Sequence, residues 1–361
     1  MNNISPNNIS KVDQPLMILS LAIIVIGFVF VSSASWAESY HYTESAWTFI
    51  GKQFIYVILG IPVMLVVSFS HFKWWQKYTL HIAAVVLILL IINAKFGVVV
   101  GGSRRWLNLG IINLQVSEFA KLAAILLFTK AFLNRRGFII AAILSGAMML
   151  LTLKQPDLGS CMLIGTGVFF VILAANINLW LIGLSVGGCA GAVIIHILNT
   201  PYQLARIKYW LDPHADPLGS GYNLIQSQYA IGAGQLWGQG LGGSLQKLGA
   251  LPVAHADFIF SIICEEMGFL GSSAVLLLFF LWILRALQIC YSIPDDFARM
   301  MGIGLIGLMT VQIVTNISVA TGLLPITGVT LPFVSYGGSS LLTSCIIAGI
   351  LLNISRFKEW D

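Results

Sequence analysis

Long apolar stretches separated by short polar connections run along almost the whole chain. A helix that crosses a membrane needs about 20 mostly apolar residues. Ten stretches approach or exceed this length: 15–35, 48–70, 79–97, 117–133, 138–153, 158–176, 179–199, 257–284, 301–322 and 338–355. Three connections are longer or richer in glycine, at 97–116, 200–256 and 323–337. The pattern predicts an all-α polytopic membrane protein of about ten transmembrane helices, with a large structured loop between the seventh and the eighth.

The composition excludes a soluble globular protein. Of the 361 residues, 58% are hydrophobic and 9% are charged, whereas soluble domains carry about 25% charged residues. We therefore expect residues 1–361 to form one integral membrane domain that begins with a polar tail at 1–14. The apolar stretch after this tail has no small-residue cleavage site, so it is predicted to be a retained helix and not a removed signal peptide.

The basic residues predict which side of the membrane each loop faces. With a cytoplasmic N-terminus, nine Lys and Arg residues fall inside and three outside, once the five in 97–116 and 200–256 are set aside. Both termini are therefore expected in the cytoplasm, and 200–256 is predicted to be a large extracytoplasmic loop. The net charge is +5 without a basic run longer than Arg-Arg, so no nucleic-acid partner is expected.

Acidic residues near a membrane are costly and mark candidate functional sites. Seven of the fourteen are expected in tails or solvated loops: Asp13, Glu38, Glu44, Asp295, Asp296, Glu359 and Asp361. The other seven map to the predicted outer half: Glu118, Asp157, Asp212, Asp216, Asp257, Glu265 and Glu266. The three unusual connections face the same side, so the sequence predicts a site at the outer face.

The eighth predicted span begins at Asp257, two residues after His255. A carboxylate at this position is either a helix N-cap or a general base whose pKa is raised by partial burial, and the sequence leaves both open. Glu265 and Glu266 lie about two turns deeper, where one of them is expected to pair with a cation or a polar helix partner.

Other charged residues carry weaker signals. Glu118 and Lys121 are three residues apart on one helix face, which fits a structural ion pair or a cavity lining, and Asp157 is expected to cap the sixth helix. The outer cations either solvate loops or clamp a diphosphate, because Arg binds phosphate oxygens in a bidentate manner. They are Arg104, Arg105, Arg206, Lys208 and Lys247.

The large loop divides into two parts. Asp-Pro and Gly turn signals in 206–222 predict a compact loop and not a helix. The segment 223–249 begins amphipathic and then becomes glycine-rich, so we expect an element along the outer interface followed by a pliable stretch. The chain has no Walker A loop and no GxGxxG at a strand–helix turn, so neither ATP nor a nicotinamide cofactor is expected.

Several sequence blocks match one known family in order. The stretch GLLPITGVTLPFVSYGGSS (322–340), preceded by Gln312 and Asn316, closely resembles the signature of the SEDS family (shape, elongation, division and sporulation). GSRRWLNLG, QVSEFAKLA, KQPDLGS, DPLGSGYNLIQSQYAIGAG, QKLGALP and HADFIFSIICEEMGFLG also look like family blocks. Two departures are Val116 where the family commonly has proline, and Ala256 where it has threonine. The resemblance covers nearly the whole chain and favours the FtsW branch over the RodA branch.

The resemblance implies a ten-helix peptidoglycan glycosyltransferase that polymerises lipid II on the outer face of the bacterial inner membrane. Lipid II is a disaccharide-pentapeptide on undecaprenyl diphosphate, and the implied partner is a class B penicillin-binding transpeptidase. No organic cofactor is implied, and a divalent cation, Mg²⁺ or Mn²⁺, is compatible with the chemistry.

The resemblance also assigns residues. It places the catalytic aspartate at Asp257 and the family's glutamate–lysine pair at Glu118 and Lys121. Substrate-binding or supporting roles are expected for Arg104, Arg105, Arg206, Lys208, Lys247, His255, Ser335, Gln312 and Asn316. Two alternatives remain open on the residues themselves: a lipid II flippase, and a non-catalytic scaffold for the transpeptidase.

Overall fold

The computed structural model describes residues 11–43, 47–100, 103–108, 110, 113–134, 137–175 and 179–357. Its helices are α1 (Gln14–Thr43), α2 (Trp47–Phe69), α3 (Phe72–Phe96), α4 (Val116–Leu133), α5 (Phe138–Lys154), α6 (Leu158–Ala174), α7 (Leu179–Leu198), α8 (Pro201–Leu211), α9 (Tyr222–Gly234), α10 (Ile259–Tyr291), α11 (Asp296–Thr321) and α12 (Gly338–Ser355). Its strands are β1 (Val98–Val100), β2 (Ser103–Asn108) and β3 (Asn113–Gln115).

Helices lie over all ten of the predicted apolar stretches. Within the described part of the chain, six helices are long and apolar enough to cross a membrane: α1, α2, α3, α10, α11 and α12. The chain is therefore a multi-pass membrane protein, as predicted. The total of ten spans remains a prediction.

The centre of the helix bundle is formed by α4, α11 and α12. Both α4 and α12 are buried along most of their length. α12 packs on α2, α11 packs on α6, and α4 packs on both α3 and α6. By contrast, α2 buries about one residue per turn and directs its other apolar side chains outward, which suits a helix with one face toward lipid.

A small antiparallel sheet corrects the prediction of an all-α fold. The strand order is β1-β2-β3, and Trp106 of β2 pairs with Val98 on one side and with Gln115 on the other. Gly110 has φ +88° in the β2–β3 connection, where its amide donates to Asn108 Oδ1 at 2.7 Å. The sheet ends where α4 begins, so it fixes the backbone that leads into this central helix.

The segment 200–256 is more helical than predicted. Residues 206–211 belong to α8, which begins with Pro201 in its first turn, a position that suits proline because the missing amide has no helical partner there. The expected turn follows α8, and Asp216 Oδ2 accepts from the Ser220 amide at 2.9 Å. α9 is the amphipathic element that was predicted after this turn.

The glycine-rich stretch after α9, which was predicted to be pliable, is hydrogen-bonded to α10 over residues 235–240. α10 is interrupted at Gly268, whose φ is +66° and ψ −167°, and the chain at 235–240 lies against this interruption. Gln239 and Gly240 donate to the carbonyls of Glu265 and Glu266 at 2.9 and 3.0 Å. In return, Phe269 and Leu270 donate to the carbonyls of Gln235 and Leu236 at 2.8 and 3.2 Å. The inserted segment thus satisfies backbone groups that a broken membrane helix would otherwise leave unpaired.

Two acidic residues expected in solvated segments are in fact packed against other elements. Asp13 is 5% exposed, caps α1 through the Leu16 amide at 3.0 Å, and pairs with Arg285 Nη2 of α10 at 2.6 Å. Glu38 lies in α1 because this helix continues eight residues beyond the predicted end at 35. Residues 1–10 of the predicted polar tail, like Glu44, Glu359 and Asp361, lie outside the described residues.

Candidate active site

Asp257 lies in the turn immediately before α10. The N-cap of α10 is Phe258, and no side chain caps this helix, so the capping interpretation of Asp257 is wrong. The Asp257 carbonyl accepts from Asn316 Nδ2 at 3.0 Å, and the same amide group donates to the Val329 carbonyl at 2.8 Å. Asn316 therefore ties the backbone of Asp257 to the segment 322–337.

Segment 322–337 holds the residues around Asp257 at two further points. Ser335 Oγ donates to the Ala256 carbonyl at 2.6 Å and accepts from the Leu331 amide at 2.8 Å. The Tyr336 amide donates to the His255 carbonyl at 2.9 Å. These bonds join the HAD tripeptide to the glycine-rich segment, which explains why both blocks occur in one site. Gln312 makes a longer contact, 3.5 Å from Nε2 to the Thr330 carbonyl.

Three cationic or basic groups lie near enough to the Asp257 carboxyl to influence its ionisation. Burial has the largest effect and raises the pKa of Asp257, whereas Arg206, His255 and Arg105 oppose this shift in that order and the negative charge of Asp157 adds to it. Among the described residues, none donates a hydrogen bond to the Asp257 carboxyl or forms an ion pair with it. The carboxyl group is therefore free to take up a proton from a ligand.

Two of the five predicted outer cations are fixed beside this carboxyl. Arg206 donates from Nη1 to the Ile326 carbonyl at 3.0 Å and from Nη2 to Tyr202 Oη at 2.6 Å. Arg105 donates from Nε to the Gln155 carbonyl at 3.1 Å and also bonds the Pro156 carbonyl. Because both guanidinium groups are held by uncharged acceptors, they keep their positive charge available to a ligand.

The other three predicted cations have different surroundings. Arg104 is exposed and donates to the Lys95 carbonyl at 3.1 Å. Lys208 is exposed on α8, with Nζ 5.9 Å from the Tyr209 ring centroid. Lys247 is buried, and its Nζ lies 2.6 Å from Glu266 Oε1 and 2.8 Å from Ser33 Oγ. The expectation that Glu265 or Glu266 pairs with a cation is confirmed for Glu266.

One predicted ion pair and one predicted helix cap are also confirmed. Glu118 Oε2 and Lys121 Nζ lie 2.7 Å apart, buried in the first turns of α4. Asp157 caps α6, with Oδ1 accepting from the Ser160 amide at 3.1 Å. Its Oδ2 also accepts from Gln115 Nε2 and Ser117 Oγ, both at 3.3 Å. Asp157 thus connects the start of α4 with the start of α6 as well as capping a helix.

Glu38 is a member of this site that the sequence did not reveal. Its Oε2 lies 2.8 Å from His255 Nδ1, and the His255 ring stacks on Phe49 with centroids 5.2 Å apart and meets Tyr336 edge-on at 5.0 Å. The sequence did not show how far α1 extends, because the apolar pattern ends before the polar last turns of this helix, which carry Glu38.

An apolar cavity of about 210 Å³ lies next to the polar cluster. Leu158 and Met162 of α6, Ile197 of α7 and Val311 of α11 form part of its wall, and Arg206 lines it as well. The cavity can therefore take an apolar chain whose charged end reaches the guanidinium group. The described residues hold no group of three or more His, Cys, Asp or Glu side chains that would bind a metal ion.

Together, the fold and this site define a multi-pass membrane protein with a carboxyl–guanidinium cluster beside an apolar cavity. The family model of FtsW, RodA and SpoVE, described as "Cell cycle protein", matches residues 14–360. The chain belongs to this family.

Individual relatives agree with this assignment. The chain is 38% identical to stage V sporulation protein E of Bacillus subtilis, over 96% of this chain and 98% of that protein. It is 37% identical to a probable peptidoglycan glycosyltransferase FtsW of Trichlorobacter lovleyi, over 97% and 94%.

Two solved structures share the fold. One is described as "Structural coordination of polymerization and crosslinking by a peptidoglycan synthase complex", with TM-score 0.81, 28% identity, and coverage of 97% of this chain and 99% of that one. The other is RodA of Thermus thermophilus, with TM-score 0.72, 26% identity, and coverage of 97% and 98%.

Proposed function

We propose that this protein is a peptidoglycan glycosyltransferase that polymerises lipid II into glycan strands. The observation that carries the proposal is the Asp257 carboxyl group, which has a raised pKa and lies among Arg206, His255 and Arg105. The apolar cavity next to Arg206 supplies a second requirement, because a lipid-linked sugar needs space for its chain. Relatives named peptidoglycan glycosyltransferase FtsW support the same reaction class.

The proposed reaction is a direct glycosyl transfer. Asp257 accepts the proton of an acceptor sugar hydroxyl while the hydroxyl oxygen forms a bond to the anomeric carbon of the donor. The bond between that carbon and the lipid diphosphate breaks, and the diphosphate leaves with the electron pair. A raised pKa suits this role, because a general base is most effective when its pKa is close to the working pH.

Arg206 and Arg105 are the groups best suited to the leaving diphosphate. Guanidinium groups bind phosphate oxygens with two parallel hydrogen bonds, and positive charge fixed where negative charge develops lowers the barrier. A divalent cation, Mg²⁺ or Mn²⁺, would supply further positive charge to the leaving diphosphate, but the described residues hold no cluster of three His, Cys, Asp or Glu side chains to bind it. No organic cofactor enters the proposed chemistry, since the diphosphate is itself the leaving group.

The proposed setting is the bacterial inner membrane, with both termini in the cytoplasm and Asp257 on the outer side. The proposed partner is a class B penicillin-binding transpeptidase. One structural neighbour comes from a complex that coordinates polymerization and crosslinking, which supports such a pairing. Relatives named FtsW and stage V sporulation protein E favour the FtsW side of the family for this chain.

The test is polymerisation of labelled lipid II by the purified full chain, alone and with a class B penicillin-binding protein, in Mg²⁺ or Mn²⁺. Glycan ladders are expected from the unmodified chain and not from Asp257→Asn. The matched control is Asp212→Asn, which removes an exposed carboxylate from segment 200–256 and should leave the ladders unchanged.

Two other outcomes would redirect the assignment. Ladders from Asp257→Asn at the unmodified rate would exclude Asp257 as the base. If no ladders form under any condition, a flippase or a scaffold becomes the better account. Transport of lipid II across vesicle membranes distinguishes these two functions.

A further inference from the structure

Glu38 is the carboxylate on α1 that approaches the Asp257 site. Its Oε2 lies 2.8 Å from His255 Nδ1, and the two side chains are 23% and 6% exposed. His255 is 5% exposed, and its ring lies against the rings of Phe49 and Tyr336. In general, a carboxylate within hydrogen-bonding distance of an imidazole favours the charged form of the ring.

His255 in turn acts on Asp257. The two residues share one turn, and the His255 charge is among the influences that lower the pKa of Asp257 against the effect of burial. The backbone on both sides of Ala256 is held by Ser335 and Tyr336, so the distance between the imidazole and the carboxyl group cannot relax freely.

We propose that Glu38 is a positioning residue of the active site, which keeps a protonated His255 beside Asp257. The inference rests on the proposed function, because it gives Glu38 a part in setting the ionisation of the base. Charged or titratable groups face this pair from every packed element: Glu38 of α1, Tyr336 of segment 322–337, Arg105 of β2, Asp157 before α6, and Arg206 of α8.

The direction of the pH effect separates two ways in which Glu38 could act. If Glu38 acts through His255, loss of the Glu38 charge causes the imidazole to lose its positive charge. Asp257 then ionises at higher pH. Acting directly on Asp257, loss of a nearby negative charge would make Asp257 ionise at lower pH. The same substitution therefore moves the acidic limb of the pH–rate profile in opposite directions.

The first experiment measures glycan formation against pH for the full chain and for Glu38→Gln. We expect the acidic limb to move upward by about one pH unit, with the plateau rate within about twofold of the unmodified chain. Asp212→Asn serves as the control for loss of an exposed carboxylate and should not move the limb. An unmoved limb, or one that moves to lower pH, overturns the inference.

A second background tests whether His255 carries the effect. In His255→Gln the acidic limb should already lie at higher pH, and adding Glu38→Gln should change it no further. Equal shifts in both backgrounds would show that Glu38 does not act through the imidazole.

A third readout does not depend on catalysis. The measurement is NMR of the full chain with labelled histidine in detergent micelles. The signal of His255 is assigned as the one that is missing from the spectrum of His255→Gln. We expect this imidazole to lose its proton at lower pH in Glu38→Gln than in the unmodified chain. An unchanged titration overturns the inference even if the chain is active, whereas a changed titration in a chain that makes no glycan contradicts only the proposed function.

Discussion

Two carboxylate-bearing regions at the start of α10 differ in how completely their oxygens are paired. Glu265 accepts from Ser244 Oγ and from the Leu245 amide, and Glu266 pairs with Lys247 at 2.6 Å. Asp257 lies two to three turns earlier and faces several cations, yet among the described residues its carboxyl has no direct partner.

The difference separates structural from chemical use of a buried acid. A buried charge that pairs with an opposite charge of the protein, as Glu266 does with Lys247, holds one arrangement of the chain, and removing its partner is costly. A carboxyl group with raised pKa and nearby positive charge retains capacity for a ligand. The residues alone left Asp257 open between a helix cap and a general base, whereas one of Glu265 and Glu266 was expected to pair with a cation or a polar partner.

The largest effect that we expect is the loss of polymerisation activity on substitution of Asp257. Asp257→Asn keeps the size of the side chain but removes the proposed base, so the polymerisation rate should fall by about 10²–10⁴-fold. Its thermal unfolding in detergent should be no worse than that of the unmodified chain. Loss of activity together with a large loss of stability would assign Asp257 to the structural group instead.

At Lys247, by contrast, we expect substitution to lower the stability of the protein. Lys247→Met leaves Glu266 buried without its cation, which should destabilise the protein by about 3–5 kcal/mol. Replacing both residues, as in Lys247→Met with Glu266→Met, should recover most of this loss because no charge remains unpaired. Thermal unfolding measures both effects. If the double variant is as unstable as the single one, packing and not charge governs this cluster.

The glycine segment beside Glu266 allows a sharper test of rigidity. A Cβ at Gly238 would lie 2.2 Å from the Glu266 carbonyl oxygen, whereas a Cβ at Gly240 meets nothing within 4 Å. Both glycines have left-handed φ values, +80° and +88°, so alanine costs about 1–2 kcal/mol at either position. Gly238→Ala should cost more than Gly240→Ala, since it adds the steric clash. Equal unfolding temperatures would indicate that the segment is not held against α10.

The smallest effect is a pH-dependent gain in stability for Asp257→Asn. Because the folded-state pKa of Asp257 is raised, its contribution to stability is greatest below the ordinary aspartate pKa and is lost as pH rises through the folded value. The asparagine variant should therefore match the unmodified chain near pH 4 and unfold at a higher temperature near pH 8. A difference that is constant with pH would contradict a raised pKa.

Some features of the site could be predicted from the spacing of residues that are close together in the sequence. The Glu118–Lys121 pair follows from residues three apart on one helix, and the Asp157 cap follows from an aspartate at the start of an apolar helix. Each depends on residues within one turn of each other. The positions of the ten apolar helices were predictable for the same reason, since length and composition decide whether a segment can cross a membrane.

Other features depend on residues far apart in the chain. The three-stranded sheet could not be predicted because β1 and β3 contain three residues each, too few for a periodic pattern. Gly238, in the stretch predicted to be pliable, and Gly268 of α10 are the places where two backbones approach closely. Glu38 looks like a loop residue until α1 continues past its apolar part to reach His255.

The sequence by itself determined that this chain is a membrane protein, which long apolar stretches form helices, and which family blocks it carries. These properties follow from the free energy of apolar segments in lipid and from contacts within a turn. Only the tertiary structure decided which carboxylates are paired and which is left open, because a carboxylate's pKa and its partners depend on groups brought together from α1, β2, α8 and the segment before α12. That selection distinguishes Asp257 from Glu265 and Glu266.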